Sequence, residues 1–433
     1  MDTIFALSSG MPPSGLAVIR LSGPKSRFVL ETISGKCPEP KRASLRKLRG
    51  ATGSLLDEGL VLWFPGPGSF TGEDSCEFHV HGGRAVVAAV LDTLNGFEGL
   101  RLAEPGEFSR RAFSNGRIDL TEVEGLADLV NAQTEAQRRQ AIERAGGSAR
   151  EVLENWRSRV IRMRALLEAD FDFADEEDVP GSVADNVWED ARALAEEIRS
   201  ELNDQRRGEI IRDGYQIVVM GPPNAGKSSL INALARRDIA IVTPEAGTTR
   251  DLLEVHLDLD GYAVTIVDTA GIREISGLVE REGIKRAKAR AALADLVVWL
   301  DPDGGNASPL LANEATGKAD VLVLHSKDDA GLFGVLGLSV KRDGGLDHLL
   351  DAIRLRLLAY GGSSTPGLVT QLRHRKGMEE CAGWCAKAAG SSDAVEIRSE
   401  YLRRAADEIG KLTGRIGVDD LLDVIFGEFC IGK

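Results

Sequence analysis

Gly221-Pro-Pro-Asn-Ala-Gly226-Lys227-Ser228 fits the pattern G-x-x-x-x-G-K-[ST], follows the apolar run Tyr215–Met220 and opens the amphipathic run Ser229–Leu234. A buried strand, a glycine-rich turn and a helix start in that order dictate an α/β unit, because the N–H groups of the turn and of the first helical turn converge on one anion. Glycines let the main chain curl around a β-phosphate, Lys227 reaches the β- and γ-phosphates, and the Ser228 hydroxyl is a Mg²⁺ ligand. Asn224, Ala225, Gly226 and Ser229 complete this phosphate-binding stretch.

Further along, Asp268-Thr269-Ala270-Gly271 ends the strand-like run Ala263–Val267 and supplies a D-x-x-G, in which Asp268 acts on Mg²⁺ through water. Between the two motifs lies Gly247-Thr248-Thr249-Arg250-Asp251, where Thr249 is the expected second Mg²⁺ ligand. Base selectivity is expected after the strand-like run Asp320–Leu324, at Ser326-Lys327-Asp328-Asp329. Ser326 stands where a guanine motif carries Asn. Asp329 can still accept the two guanine N–H donors and Lys327 can lie along the base, so GTP is favoured over ATP. The lost amide predicts affinity lower by about tenfold, since each hydrogen bond is worth about 0.5–1.5 kcal/mol. Ser339-Val340-Lys341 is the expected loop over the base.

The position after D-x-x-G is Ile272 and not the Gln that orients the attacking water in Ras-like proteins. Glu280, in the helix-like segment beyond, is a candidate for that role. Asn224 sets a side-chain oxygen beside the phosphates and, with backbone carbonyls of the loop from Thr243 to Thr248, can hold a monovalent cation; the alternative is an Asn that caps the turn.

The chain has 433 residues, which exceeds one hydrophobic core and predicts two or three domains. Residues 1–117 mix strand-like runs (Ile4–Leu7, Leu16–Leu21, Leu60–Phe64, Cys76–Val80) with a helix over Arg84–Leu94, which reads as an α+β or α/β domain. From Leu120 the pattern turns helical. Val152, Trp156, Val160, Met163 and Leu167 form one apolar stripe, and Ala191, Leu194, Ile198 and Leu202 another. The acidic run Asp172–Asp178 reads as a solvated bend. An α/β segment, 211–360, leads to a flexible exit at Gly361–Ser364 and to more helix, with Tyr401, Ala405, Ile409 and Leu412 on one face. The expected fold is multidomain, α/β plus α. An N-terminal domain covers 1–117, a helical bundle is built from 118–210 and 361–433, and a Ras-like P-loop domain is inserted between them.

Lys plus Arg number 53 against 67 Asp plus Glu, so the surface as a whole repels nucleic acid and any RNA contact must be local or shared with a partner. No apolar run approaches the ~20 residues of a membrane helix, and the five scattered cysteines fit a reducing compartment; a cytosolic location without membrane contact is expected. Cys381 and Cys385 lie one helical turn apart without a second Cys/His pair, which favours two small core side chains over a metal site.

The C-terminal Phe429-Cys430-Ile431-Gly432-Lys433, the blocks Phe70-Thr71-Gly72-Glu73-Asp74, His81-Gly82-Gly83 and Glu104-Pro105-Gly106-Glu107-Phe108-Ser109, and Gly247–Asp251 resemble the MnmE (TrmE) family of tRNA modification GTPases. The resemblance spans the whole chain. It implies a homodimer whose N-terminal domain binds 5-formyl-tetrahydrofolate or a related one-carbon carrier through Arg20, Glu77, Arg117 and Lys433, the family often having Lys where Arg117 stands. It further implies a potassium ion on Asn224, Thr243, Glu245 and Thr248, a water-orienting Glu280, and participation of Cys430 near the folate. The implied activity is addition of an aminomethyl-type group at C5 of the tRNA wobble uridine, jointly with an FAD-dependent partner of the MnmG (GidA) type. Two other readings are a ribosome-assembly GTPase of the Era or EngA kind, which calls for a basic RNA-binding module or a second P-loop, and a regulatory dimerising GTPase without folate binding.

Overall fold

The computed structural model describes residues 2–172, 183–203, 206–241, 254–268, 291–302, 319–360, 368–417, 419–427, 429 and 432. The chain divides into two compact units: Met1–Ala127 with Gly147–Glu154 and Gly410–Lys433, and Asp128–Gly146 with Asn155–Ile409.

In the first unit the elements are β1 (Thr3–Leu7), β2 (Ser14–Ser22), α1 (Ser26–Ser34), β3 (Ser44–Arg49), β4 (Leu55–Phe64), β5 (Ser75–Gly82), α2 (Arg84–Asn95), β6 (Leu100–Leu102) and α3 (Glu107–Ser114). The strands form one sheet in the order β3-β4-β5-β2-β1-β6, antiparallel except for β1 with β6. Its period of two separates the faces. On β5, Cys76, Phe78 and Val80 are buried, while Glu77 and His79 are half-buried and His81 is exposed. The buried set joins Ile19, Leu21, Val61 and Trp63 with Val29, Leu30, Val90 and Leu94 of α1 and α2 in one core, each large side chain contributing about 1.5–3 kcal/mol.

The two ends of the chain meet in this unit. A second cluster joins Phe426 and Phe429 to Val123, Phe113 and Ile118, and Arg110 on α3 pairs with Asp423 at 2.6 Å. A Cβ at Gly432 would lie 2.2 Å from the Leu7 carbonyl oxygen, so the backbone there runs against the end of β1 at a distance and a φ of 100° that only glycine tolerates.

In the second unit, helix α4 (Ser148–Asp172), of which the unit holds the part from Asn155, and α5 (Val183–Leu202) are tied by Trp156 Nε1 donating to Glu197 at 2.6 Å and by Arg159 bridging Asp190 and Glu197. Ala191, Leu194 and Ile198 are buried as their spacing predicts, and Leu202 is half-buried. The α4 stripe needs one correction. Trp156, Val160, Met163 and Leu167 are buried, but Val152 is 36% exposed and Leu153 takes the inner position. At 100° per residue the two sit equally far, on opposite sides, from the centre of the stripe, so periodicity alone cannot choose between them. Cys381 and Cys385 are buried on the helix Leu372–Gly390. The acidic run beyond Asp172 and the exit Gly361–Ser364 lie outside the described residues.

The second sheet contains β7 (Tyr215–Met220), β8 (Glu254–Leu259), β9 (Tyr262–Asp268), β10 (Leu296–Asp301), β11 (Asp320–Ser326) and β12 (Gly337–Leu338) in the order β12-β11-β10-β7-β9-β8. All pairings are parallel but β8 with β9. Between β7 and β8 stands α6 (Lys227–Leu234). Sheet and helices close over Ile217, Val219, Leu230, Leu234, Ile266, Val298, Leu300 and Ile353. Near-continuous apolar strands are what a parallel sheet buried on both faces requires.

Candidate functional sites in the two units

The turn from β7 to α6 lies at the carboxyl ends of parallel strands, where such sheets place their ligands. A Cβ at Gly221 would lie 2.5 Å from the Leu300 carbonyl oxygen, so glycine there lets the loop cross close over β10. Asn224 has φ 61° and Gly226 φ 98°, left-handed conformations that curl the main chain into a cradle. The Asn224 side chain suits that conformation, which is the turn-former reading; its potassium reading rests on residues of the following loop. Ala225 is fully buried beneath the cradle. Lys227 is 8% exposed, and its ammonium donates to the carbonyl oxygens of Gly221 at 3.0 Å and Pro222 at 2.9 Å. Ser228 Oγ donates to Asp268 Oδ2 at 2.7 Å. The structure therefore brings together the Ser and Asp that the sequence assigns to one Mg²⁺. Hydroxyl and carboxylate oxygens are the hard donors that this ion takes. Ser229 follows on α6.

At the ends of β11 and β12 the base-selective residues assemble. Asp329 Oδ1 accepts from Ser339 Oγ at 2.7 Å and Oδ2 from Lys341 Nζ at 3.0 Å. These two hydrogen bonds hold its carboxyl below the usual carboxylate range. Ser339 Oγ in turn accepts from the backbone N–H of Lys341 and Arg342, which fixes the loop; Val340 is exposed on it. Lys327 has φ 62°, a left-handed conformation of the kind that concentrates at binding sites. Asp328 points inward and accepts from the N–H groups of Leu332 and Phe333, so of the two acids Asp329 is the one available to a base. Ser326 is 6% exposed, and its Oγ has no hydrogen-bond partner among the described residues. A hydroxyl too short to reach its neighbours occupies the place of the amide.

In the first unit, Arg20 and Glu77 are directly paired in the register of β2 and β5, with Arg20 Nε and Nη2 donating to Glu77 Oε1 at 3.0 and 2.9 Å. His79 Nε2 lies 2.9 Å from Glu77 Oε2. Burial pushes the Glu77 carboxyl up, but hydrogen bonds from His79 and Arg20 outweigh it and hold it below its usual range. The Arg20 guanidinium also faces the rings of Phe70, at 5.9 Å, and Phe108, at 5.8 Å. Arg117 packs against Gly72, two residues from Phe70, and Asn115 Nδ2 donates to the Thr71 carbonyl at 2.7 Å. Arg20, Glu77 and Arg117 thus share one region of the molecule, although Arg20 is committed to Glu77 and less free for an anionic tail than its charge alone suggests.

Sequence reasoning overlooked His79. The signal was present, since Glu77, His79 and His81 alternate with Cys76, Phe78 and Val80 and so must share the outer face. Thr243, Glu245, Thr248, Thr249, Thr269, Ala270, Gly271, Glu280, Cys430 and Lys433 lie outside the described residues. Among the described residues no helix is long and apolar enough to cross a membrane.

The family model for the GTP-binding protein TrmE N-terminus matches residues 3–117, and that for the MnmE helical domain matches residues 120–430. A tRNA modification GTPase MnmE from Mesorhizobium japonicum is 51% identical over 100% of this chain and 99% of its own length. Namesakes from Brucella canis and Rhizobium meliloti are each 49% identical over 100% of this chain, covering 98% and 99% of their own lengths. Among solved structures, the G domain of the T. maritima FeoB iron transporter matches 34% of this chain and 98% of that chain, with 21% identity and a TM-score of 0.25. With two family models covering nearly the whole chain, and a cradle, an Asp268–Ser228 contact and an Asp329 acceptor all in place, the chain belongs to the MnmE family.

Proposed function

We propose that this chain is a GTP hydrolase that works in tRNA modification, adding an aminomethyl or carboxymethylaminomethyl group at C5 of the wobble uridine together with an FAD-dependent partner of the MnmG type. The observation that carries the reading is the whole-length likeness to tRNA modification GTPases in a chain whose own phosphate cradle is formed. In this reading residues 1–117 bind folate and dimerise, 118–210 and 361–433 form the helical domain, and 211–360 form the GTPase domain.

Hydrolysis follows from the residues in place. Lys227 exchanges its two carbonyl partners for phosphate oxygens when nucleotide enters, so its charge is already aimed into the cradle. Ser228 and Thr249 would hold Mg²⁺, with Asp268 acting on it through water, and the ion would supply charge neutralisation at the phosphates. Asp329 accepts the N–H donors of guanine beside its hydrogen bonds from Ser339 and Lys341, and a base without those donors forgoes the contact. Asn224, with Thr243, Glu245 and Thr248, would hold potassium, which would supply positive charge where an arginine otherwise does, and Glu280 would orient the water. Arg20, Glu77, Arg117 and Lys433 bind the reduced folate, with Cys430 beside it.

The test is mass spectrometry of wobble nucleosides in tRNA from a strain lacking the gene for this protein. Returning the parent chain should restore the modified uridine, whereas Lys227→Ala should leave it unmodified. Unmodified uridine with the parent chain would overturn the reading in favour of an Era-like or purely regulatory GTPase.

A further inference from the structure

We propose that His79 is a positioning residue of the first unit's ligand site: its Nε2–H fixes Glu77 Oε2, leaving the carboxylate one open acceptor position for an N–H of a heteroaromatic ligand. The inference rests on the folate reading above and deepens it.

A carboxylate has about four lone-pair positions, two on each oxygen. Arg20 fills both on Oε1, through Nε at 3.0 Å and Nη2 at 2.9 Å. His79 fills one on Oε2 at 2.9 Å, which leaves one. Cross-strand neighbours add none, because Glu77 lies opposite Leu62 on β4, while His79 lies opposite Val18 on β2 and Leu60 on β4. Those apolar side chains flank the imidazole without competing for it. Glu77 is held as the carboxylate and can only accept, so the ring nitrogen facing it must carry the proton. His79 is therefore a donor here whichever state its other nitrogen adopts.

Without His79, Glu77 would be anchored through Oε1 alone, and the terminal torsion of Glu is broad. Oε2 would then swing, and the acceptor would no longer be held in one direction. The side chains of Arg20, Glu77 and His79 are 28%, 15% and 22% exposed, so the array is screened by the sheet yet open to a ligand from one side. The exposed Phe70 ring beside Arg20 supplies a flat apolar surface that a pterin ring suits, and the buried Phe108 ring backs the Arg20 guanidinium from the core side.

The experiment is titration calorimetry of the full-length chain with 5-formyltetrahydrofolate, with the thermal midpoint of each variant measured alongside. The amide nitrogen of Gln overlays imidazole Nε2, whereas that of Asn stops short of it. His79→Ala and His79→Asn should weaken binding by about tenfold or more, the loss of one hydrogen bond to a charged group, and His79→Gln should stay within about threefold of the parent. If His79→Ala does not fold, the Asn and Gln variants decide between themselves. Parent-like affinity in His79→Asn, or a His79→Gln as weak as His79→Asn at an unchanged thermal midpoint, would overturn the inference alone. A parent chain that fails to bind the folate would overturn the folate reading and the inference with it.

Discussion

The sheet of the second unit is nearly all parallel and buried, and its candidate site stands on the loops at its carboxyl ends; the sheet of the first unit is nearly all antiparallel, and its candidate site stands on the strands themselves. In the parallel sheet a ligand meets backbone N–H groups, carbonyls and a few loop side chains presented by one continuous stretch, from Gly221 to Ser228. In the antiparallel sheet, Arg20 and Glu77 are 57 positions apart in sequence and become neighbours only through strand register. The first kind of site is written as a local motif. The second exists only once the sheet has paired, which ties its ligand affinity to the integrity of the whole layer.

The largest expected effect lies on the loop side of this contrast. Lys227→Ala should lower GTP hydrolysis by about 10²–10³, the usual cost of one preorganised donor at developing charge, in a steady-state phosphate-release assay. An intermediate effect should separate the units by pH. In the first unit Glu107 is buried against Arg101 and Arg111, and although burial pushes its carboxyl up, hydrogen bonds from Arg101, from the backbone N–H of Glu104 and from Arg111 hold it below the ordinary 4.5. A carboxyl depressed in the folded state stabilises above its unfolded pKa and loses that contribution as pH falls through the folded one. The thermal midpoint of the parent chain should therefore fall as the pH is lowered below about 4.5, and Glu107→Gln should start lower at neutral pH and fall less steeply. The smallest effect tests the base-selective end. Ser326→Asn should tighten GDP and GTP by at most about tenfold in calorimetry, because an amide can reach partners that the buried hydroxyl misses, and adenine nucleotides should not gain in parallel.

The same contrast explains what could be read from the chain. The cradle, the Asp268 contact and the Asp329 acceptor were legible because each is a short motif flanked by apolar strands. In the first unit the positions of β1, β2, β4, β5 and α2 were legible from runs and alternation. Helix α1 carries no such signal: it is nine residues long and begins at Ser26 after an N-cap, Lys25, that makes no side-chain cap. Strand β3 was not assigned either: with Arg46, Lys47 and Arg49 it is an edge strand whose charges discourage further pairing, and only Leu48 is buried. The Val152 and Leu153 exchange has the same root, for a stripe direction is set by the neighbour that packs on it. His79 shows the limit most directly. Its alternation placed it on the right face, but only the Glu77 carboxylate opposite its ring gives it a role.

The claim that two separately built sites share one chain is tested most directly by titrating the full-length Lys227→Ala chain with 5-formyltetrahydrofolate. The account predicts parent-like folate affinity in a protein whose GTP hydrolysis is lowered by about 10²–10³, because the Lys227 ammonium donates to carbonyls of the phosphate loop and the Arg20–Glu77–His79 array is fixed by strand register. Folate binding lost together with GTP hydrolysis, at an unchanged thermal midpoint, would contradict it.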